Sequence, residues 1–273
     1  VLIEIWDAWE TAVVDILMDP PFRFHPTLER HSKNYRLFCC DRDHVEYVKR
    51  YFPQEVPNVA FMPHAGAAPA KDALVLPYEG RKFDILFTAT YYRPQDRLGE
   101  LLRMCEGNTS MKQLYQMAYQ NMIGNTALAA EQAILLAMQQ GGWAVPEETL
   151  KVIFAWAENL DWAIRMYQRE QVVTILAEAG FELYLLGRGW ENHSASGYSN
   201  VHRIDGRVPY AQTLSYMADA KINLNVMPWF KSGTHDRIFN TLLQHSLPLT
   251  DRSSWIDENF TDGQDIAMYD LKH

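Results

Sequence analysis

The stretch that most constrains the fold is residues 221–251, KINLNVMPWFKSGTHDRIFNTLLQHSLPLTD. Ile222, Leu224 and Val226 alternate with Asn223 and Asn225 as a strand requires; a loop with Pro and Gly follows, and Ile238, Phe239, Leu242 and Leu243 then recur at helical spacing. The stretch reads as strand, loop, helix, strand. Its loop carries Lys231, Ser232, Gly233, Thr234, His235 and Asp236, and Arg237 falls in the first helical turn, where unpaired N–H groups and the positive end of the helix dipole favour an anion. Arg237, Asn240 and Gln244 form a polar stripe opposite the apolar one, so the spacing predicts a phosphate-bearing ligand.

The rest of the chain repeats this rhythm. A helix over residues 2–9 precedes a strand over 13–18, which ends at the turn Asp19-Pro20-Pro21; strands follow at 35–40 and 59–62, with a helix at 44–51 between them. Residues 63–80, rich in Pro, Ala and Gly, read as a connection between domains. A strand at 83–89 opens a second unit. From 108 to about 161 the pattern is helical, broken near Gly124, at Gly141-Gly142 and at Pro146, and its Met and aromatic stripes read as core packing. The alternation resumes after Arg169, with a helix up to Gly180, strands at 181–186 and 201–204, a helix from Pro209, and a short helix and edge strand after residue 254. The predicted class is α/β, with residues 1–80 an incomplete Rossmann-like domain and linker. Residues 81–273 form a second Rossmann-like domain with an all-helical insertion at about 108–165.

With 273 residues and 48% hydrophobic content the chain can bury two cores. A formal net charge of -9 argues against general binding to nucleic acid. Cys39, Cys40 and Cys105 have no metal-site spacing and suit a reducing, cytoplasmic setting. No apolar run reaches the roughly 20 residues that a membrane span needs. The chain begins without Met, inside a helical pattern, and a preceding region is expected.

Gly187-Arg188-Gly189 directly follows a strand, where small residues let backbone approach a ligand and Arg can meet phosphate. With the loop at 233–237 it predicts one cleft at the C-terminal ends of parallel strands. His64 and His235 are candidate acid–base or hydrogen-bonding groups, because histidine titrates near neutrality. Asp41-Arg42-Asp43 can cap the following helix or hold a divalent ion. No P-loop, paired CxxC or G-x-S-x-G motif is present.

The runs LYLLGRGWENH, VPYAQTLSYMADAKINLNV and SGTHDRIFNTLLQHSLPLTD together resemble the C-terminal half of GT-B glycosyltransferases, in particular the group of the spore maturation protein CgeB. VVDILMDPPF and FDILFTATYY are similar to that group too. The resemblance implies a GT-B-like fold whose second domain holds a nucleotide-diphosphate sugar, with no other cofactor and an acceptor of unidentified kind. It implies Gly187, Arg188 and Gly189 lining the donor site, Val208 and Tyr210 near the base, and Gly233, Thr234 and Arg237 facing the diphosphate, with His235 beside them. The family's usual Glu is Asn240 here, which can hydrogen-bond a hydroxyl without the strength of a carboxylate. The expected activity is metal-independent glycosyl transfer, with leaving-group charge met by Arg237 and Asp19 or His64 as acceptor base. The alternatives are a non-catalytic nucleotide-sugar-binding or interaction module and a metal-dependent transferase using Asp41 and Asp43.

Overall fold

In a computed structural model, which describes residues 2–69, 75–204, 206 and 208–271, two parallel sheets lie side by side in the chain. Residues 70–74 of the expected connection lie outside the described residues. The first half runs α1 (Leu2–Ala8), β1 (Val13–Leu17), α2 (His25–Glu29), β2 (Tyr35–Cys39), α3 (Arg42–Tyr51) and β3 (Val59–Phe61). Its strands pair in the order β1-β2-β3, all parallel.

The second half begins with β4 (Phe83–Thr88) and then five helices: α4 (Pro94–Met104), α5 (Thr109–Gly124), α6 (Ala130–Gly141), α7 (Glu147–Trp156) and α8 (Glu158–Glu178). There follow β5 (Leu183–Leu186), β6 (Val201–Ile204), α9 (Tyr210–Ala218), β7 (Ala220–Asn225), α10 (Asp236–Leu243), β8 (Leu247–Asp251), α11 (Ser254–Asn259) and β9 (Ala267–Tyr269). The sheet order is β6-β5-β4-β7-β8-β9, every pair parallel. Counted within this sheet the order is 3-2-1-4-5-6, so the direction of winding reverses between β4 and β7, and a crevice forms there beyond the strand ends.

The helix breaks fall where Gly and Pro put them: α5 ends at Gly124, Gly142 closes α6 in the left-handed region, and Pro146 precedes α7. One expectation is corrected. Residues 158–178 form a single 21-residue helix, not the end of one helix and the start of another. No Gly or Pro interrupts it, and Asp161, Arg165 and Arg169, all buried, blur the apolar pattern of its inner face.

The helices between β4 and β5 serve both halves. Phe154 packs edge-on against Tyr51 and tilted against Tyr47 of α3, and one continuous buried cluster runs from Leu17 and Leu37 to Tyr115, Ile134 and Leu160. Helix α8 also covers one face of the six-stranded sheet, through Met166, Val173 and Ala177 against Ile85, Leu185 and Leu224. Helices α9, α10 and α11 contribute to clusters that include Leu86 and Met227.

Candidate functional site

The crevice between β4 and β7 is where two arginines from different elements meet. Arg237, in the first turn of α10, is buried; its Nε donates to Thr88 Oγ1 at 3.2 Å, its Nη2 to Thr88 O at 2.9 Å, and its Nη1 to Asn225 Oδ1 at 2.5 Å. It thus bridges the C-terminal ends of both strands. Arg169 reaches the same place from α8, with Nη1 donating to Thr90 O at 2.6 Å. The two guanidinium carbons lie 5.9 and 5.6 Å from the Phe87 ring centroid.

Every hydrogen bond that these two guanidinium groups make goes to a neutral oxygen, and among the described residues neither has a carboxylate in ion-pair range. Burial, with the neighbouring charges of Arg237 and Arg165, pulls the proton affinity of Arg169 down to about 9; burial pulls Arg237 down as well. Two buried cations without paired anions at the ligand crevice of a parallel sheet form an anion site in waiting.

Arg165, one turn before Arg169, is paired differently. It meets Asp161 Oδ2 at 2.7 Å and Asp19 Oδ1 at 2.9 Å, and its guanidinium carbon lies 3.8 Å from the Trp229 ring centroid. Asp19, at the turn after β1, shares the same Oδ1 with Arg23 at 3.0 Å, leaving Oδ2 outside these pairs. His64 comes in from the segment after β3. Its ring is 5.6 Å from Phe230 and 5.8 Å from His235, and burial lowers its proton affinity.

His235 caps α10: its Nδ1 accepts from Arg237 N at 3.2 Å and also lies 2.7 Å from Asp236 Oδ1. Burial foremost, then the Arg237 charge, lowers its proton affinity to about 4, so the ring is neutral at pH 7. Burial raises Asp236, but its contact with His235 and the charge of Arg237 outweigh it and hold the carboxylate well below its usual range. The first-turn N–H of Arg237, which the sequence offers to an anion, is therefore taken by the cap. Any anion meets the arginine side chains.

Several residues expected to line the ligand have definite structural employment. A side chain at Gly233 would stand 2.1 Å from Cys40 O and 2.7 Å from Asp41 Cα, because residue 233 forms an antiparallel bridge with Asp41. Asp41 Oδ2 accepts from Lys231 N at 2.8 Å and Ser232 N at 2.9 Å, while Oδ1 caps α3 through Asp43 N at 2.7 Å. Both oxygens of the first Asp of the D-x-D are thereby engaged, and no group of three or more metal-ligating side chains forms among the described residues.

Asn240 Oδ1 accepts from Ala67 N at 2.8 Å and from Tyr210 OH at 3.1 Å, and Gln244 Nε2 donates to Ala67 O at 3.2 Å. The polar stripe of α10 thus fixes the connection between the halves. Gly187 and Gly189, both at positive φ, let the turn after β5 lie against Ala89 O and Tyr91 O, while Arg188 is exposed. Val208 packs beside Leu186 and Met217, and Thr234 is fully buried behind the loop.

The structure brings His64, His235 and Arg237 toward one another, with Asp19 reaching them through Arg165 and Trp229, and the Gly187–Gly189 turn lies on the 89–91 backbone beside the Thr88 and Thr90 oxygens that the two arginines hold. Sequence reasoning missed Arg165, Arg169, Trp229 and Asn225. The signal for the first two was the spacing of Asp161, Arg165 and Arg169, which places them on one helical face.

Six parallel strands in Rossmann order, beside a smaller parallel sheet and with a cation-lined crevice at the winding reversal, make up a GT-B-like α/β fold of the Rossmann type. Within it, residues 168–273 match the model of a family described as glycosyl transferase-like. That segment carries Arg169, Trp229, His235 and Arg237, and it links the C-terminal part of the chain to glycosyl transfer. No curated protein matches the chain.

Proposed function

We propose that the chain transfers a glycosyl group from a nucleotide-diphosphate sugar to a hydroxylated acceptor, without a divalent ion at Asp41-Arg42-Asp43. The observation that carries this reading is the pair of buried guanidinium groups, Arg169 and Arg237, free of carboxylate partners at the crevice between β4 and β7. The diphosphate supplies the anion they lack, and charge developing on the leaving phosphate is met by donors already in place. The segment's match to a glycosyl transferase-like family supports the same reaction class.

The attacking hydroxyl needs a proton acceptor. His64 is the better of the two candidates: burial keeps the ring neutral, and its Nε2 has no hydrogen-bond partner, whereas Asp19 already serves two arginines. The proton leaves the acceptor oxygen for His64, that oxygen bonds to the anomeric carbon, and the bond to the diphosphate oxygen breaks. The resemblance to the CgeB group agrees with this reading.

The test is a thermal-shift panel of UDP, GDP, dTDP, CDP and ADP and their common sugar conjugates, in EDTA. A ligand at a hundredfold excess over its dissociation constant stabilises by about 2.7 kcal/mol. One nucleotide should raise the midpoint, and Arg169→Gln should abolish the rise. Arg169 is the better probe because Arg237 also ties β4 to β7. If no nucleotide shifts the midpoint, the reading is wrong. If one does but its conjugate is never turned over, a binding module replaces the enzyme.

A further inference from the structure

Helix α8 packs on the inner strands of the six-stranded sheet and leaves a cavity beside the outer ones. The cavity measures about 410 Å³ and lies between α5, α8, β8 and β9, with Ile123, Val172, Leu176 and Leu249 among its aliphatic walls. Small-molecule sites span roughly 300–1,000 Å³, so it is large enough to be one. Parallel sheets are ordinarily covered on both faces, yet Leu249 and Tyr269 on this face are only partly buried. Gln171 and Ile175, both exposed, mark the mouth.

One polar group stands inside without employment. Gln168 lines the cavity and is 2% exposed, and among the described residues its amide has no hydrogen-bond partner. The Tyr269 hydroxyl, on the opposite wall, is already engaged: it donates to Asn225 O at 2.7 Å. A buried amide without partners is costly, and a lone water would not offset this, since a buried water itself needs roughly two to four polar partners and the walls around Gln168 are mostly aliphatic.

The amide both donates and accepts, so it is satisfied by a group that does the same, an amide or an alcohol. A carboxylate only accepts. Among the described residues the one charged group on the lining is Asp270, so an anion would be buried there without a cation to meet it.

We propose that this cavity binds an uncharged amphiphile, an aliphatic chain ending in an amide or alcohol, with the head on the Gln168 amide and the chain along Val172, Leu176 and Leu249. The site stands apart from the glycosyl-transfer reading, because Arg169 and Arg237 meet at the ends of β4 and β7 whereas this cavity lies between α8 and the outer strands β8 and β9.

The experiment is saturation-transfer NMR on the full chain, titrated with octanamide, 1-octanol and octanoate, alongside the melting point and sedimentation. Octanamide or octanol should receive saturation, and octanoate should bind at least about tenfold more weakly. Gln168→Leu, which keeps the bulk and removes the amide, should weaken the favoured probe about three- to tenfold while leaving the melting point unchanged or raised. Val172→Trp, which fills the cavity from α8, should abolish binding. No saturation of octanamide or octanol, octanoate binding as tightly as either, unchanged affinity in Gln168→Leu, or a melting point lowered by that substitution would each overturn the proposal. A chain that sediments as a dimer and takes up none of the probes would overturn it too, and would give this face to a second copy. None of these outcomes bears on nucleotide binding, so the two readings fail separately.

Discussion

His235 shows how much one residue in this site does. It caps α10, contacts the rings of His64 and Trp229, and stays neutral because burial and Arg237 oppose its charge. A folded-state proton affinity lowered from 6.5 to about 4 means that its contribution to stability is complete above pH 6.5 and is lost as pH falls toward 4. Asparagine is an equally good cap and does not titrate there. His235→Asn should therefore gain on the wild type by up to about 3 kcal/mol between pH 6.5 and 4, read from denaturant midpoints at each pH. Equal pH profiles would show that the ring is not held neutral. The sequence marked His235 and Arg237 as site residues, but the partners of Arg237 were hidden. Asn225 read as one half of a strand's alternation, yet its amide oxygen receives the guanidinium.

At the scale of elements, the loop between β7 and α10 is shaped by the first half of the molecule. Its Gly233 carries no side chain because Cys40 and Asp41 backbone atoms occupy the space. Gly233→Ala should cost about 2 kcal/mol or more, since neither backbone can yield. Gly197→Ala, where nothing lies within 4 Å of the added carbon, should stay within about 0.5 kcal/mol, and chemical denaturation of the pair checks both. Equal stabilities would mean that the bridge between residues 41 and 233 is loose. The strand–loop–helix–strand order of this region was legible because period-two and helical patterns are local. The clasp was not, because Asp41 and Lys231 are 190 positions apart and nothing in either neighbourhood names the other. Helix α8 was misdivided for a related reason: buried charge at Asp161, Arg165 and Arg169 looks like a polar interruption until its partners, one of them Asp19, are seen.

For the whole molecule, the two sheets are joined by more than the chain between them. Arg42 meets Glu258 with two contacts of 2.8 Å, Asp41 holds the 231–232 backbone, and Asn240 with Gln244 brackets Ala67. Asp41→Ala removes two hydrogen bonds from this join at once, along with the cap of α3. Its unfolding should be less steep in urea than that of the wild type, with the two halves separating before either melts; an unchanged slope would show that the join is not what makes them cooperative. The α/β class and the parallel sheets could be read from apolar runs punctuated by Gly and Pro. How the halves face each other could not, because that is decided by single side chains reaching across.

The shared use of the helices between β4 and β5 has a consequence for synthesis. Tyr47 and Tyr51 of α3 pack on Phe154, so the first sheet completes its core only with residues translated about a hundred positions later. During elongation the emerging N-terminal strands must wait, apolar side outward, until α7 has cleared the ribosome, and for that interval a chaperone that shields such surfaces has its natural client.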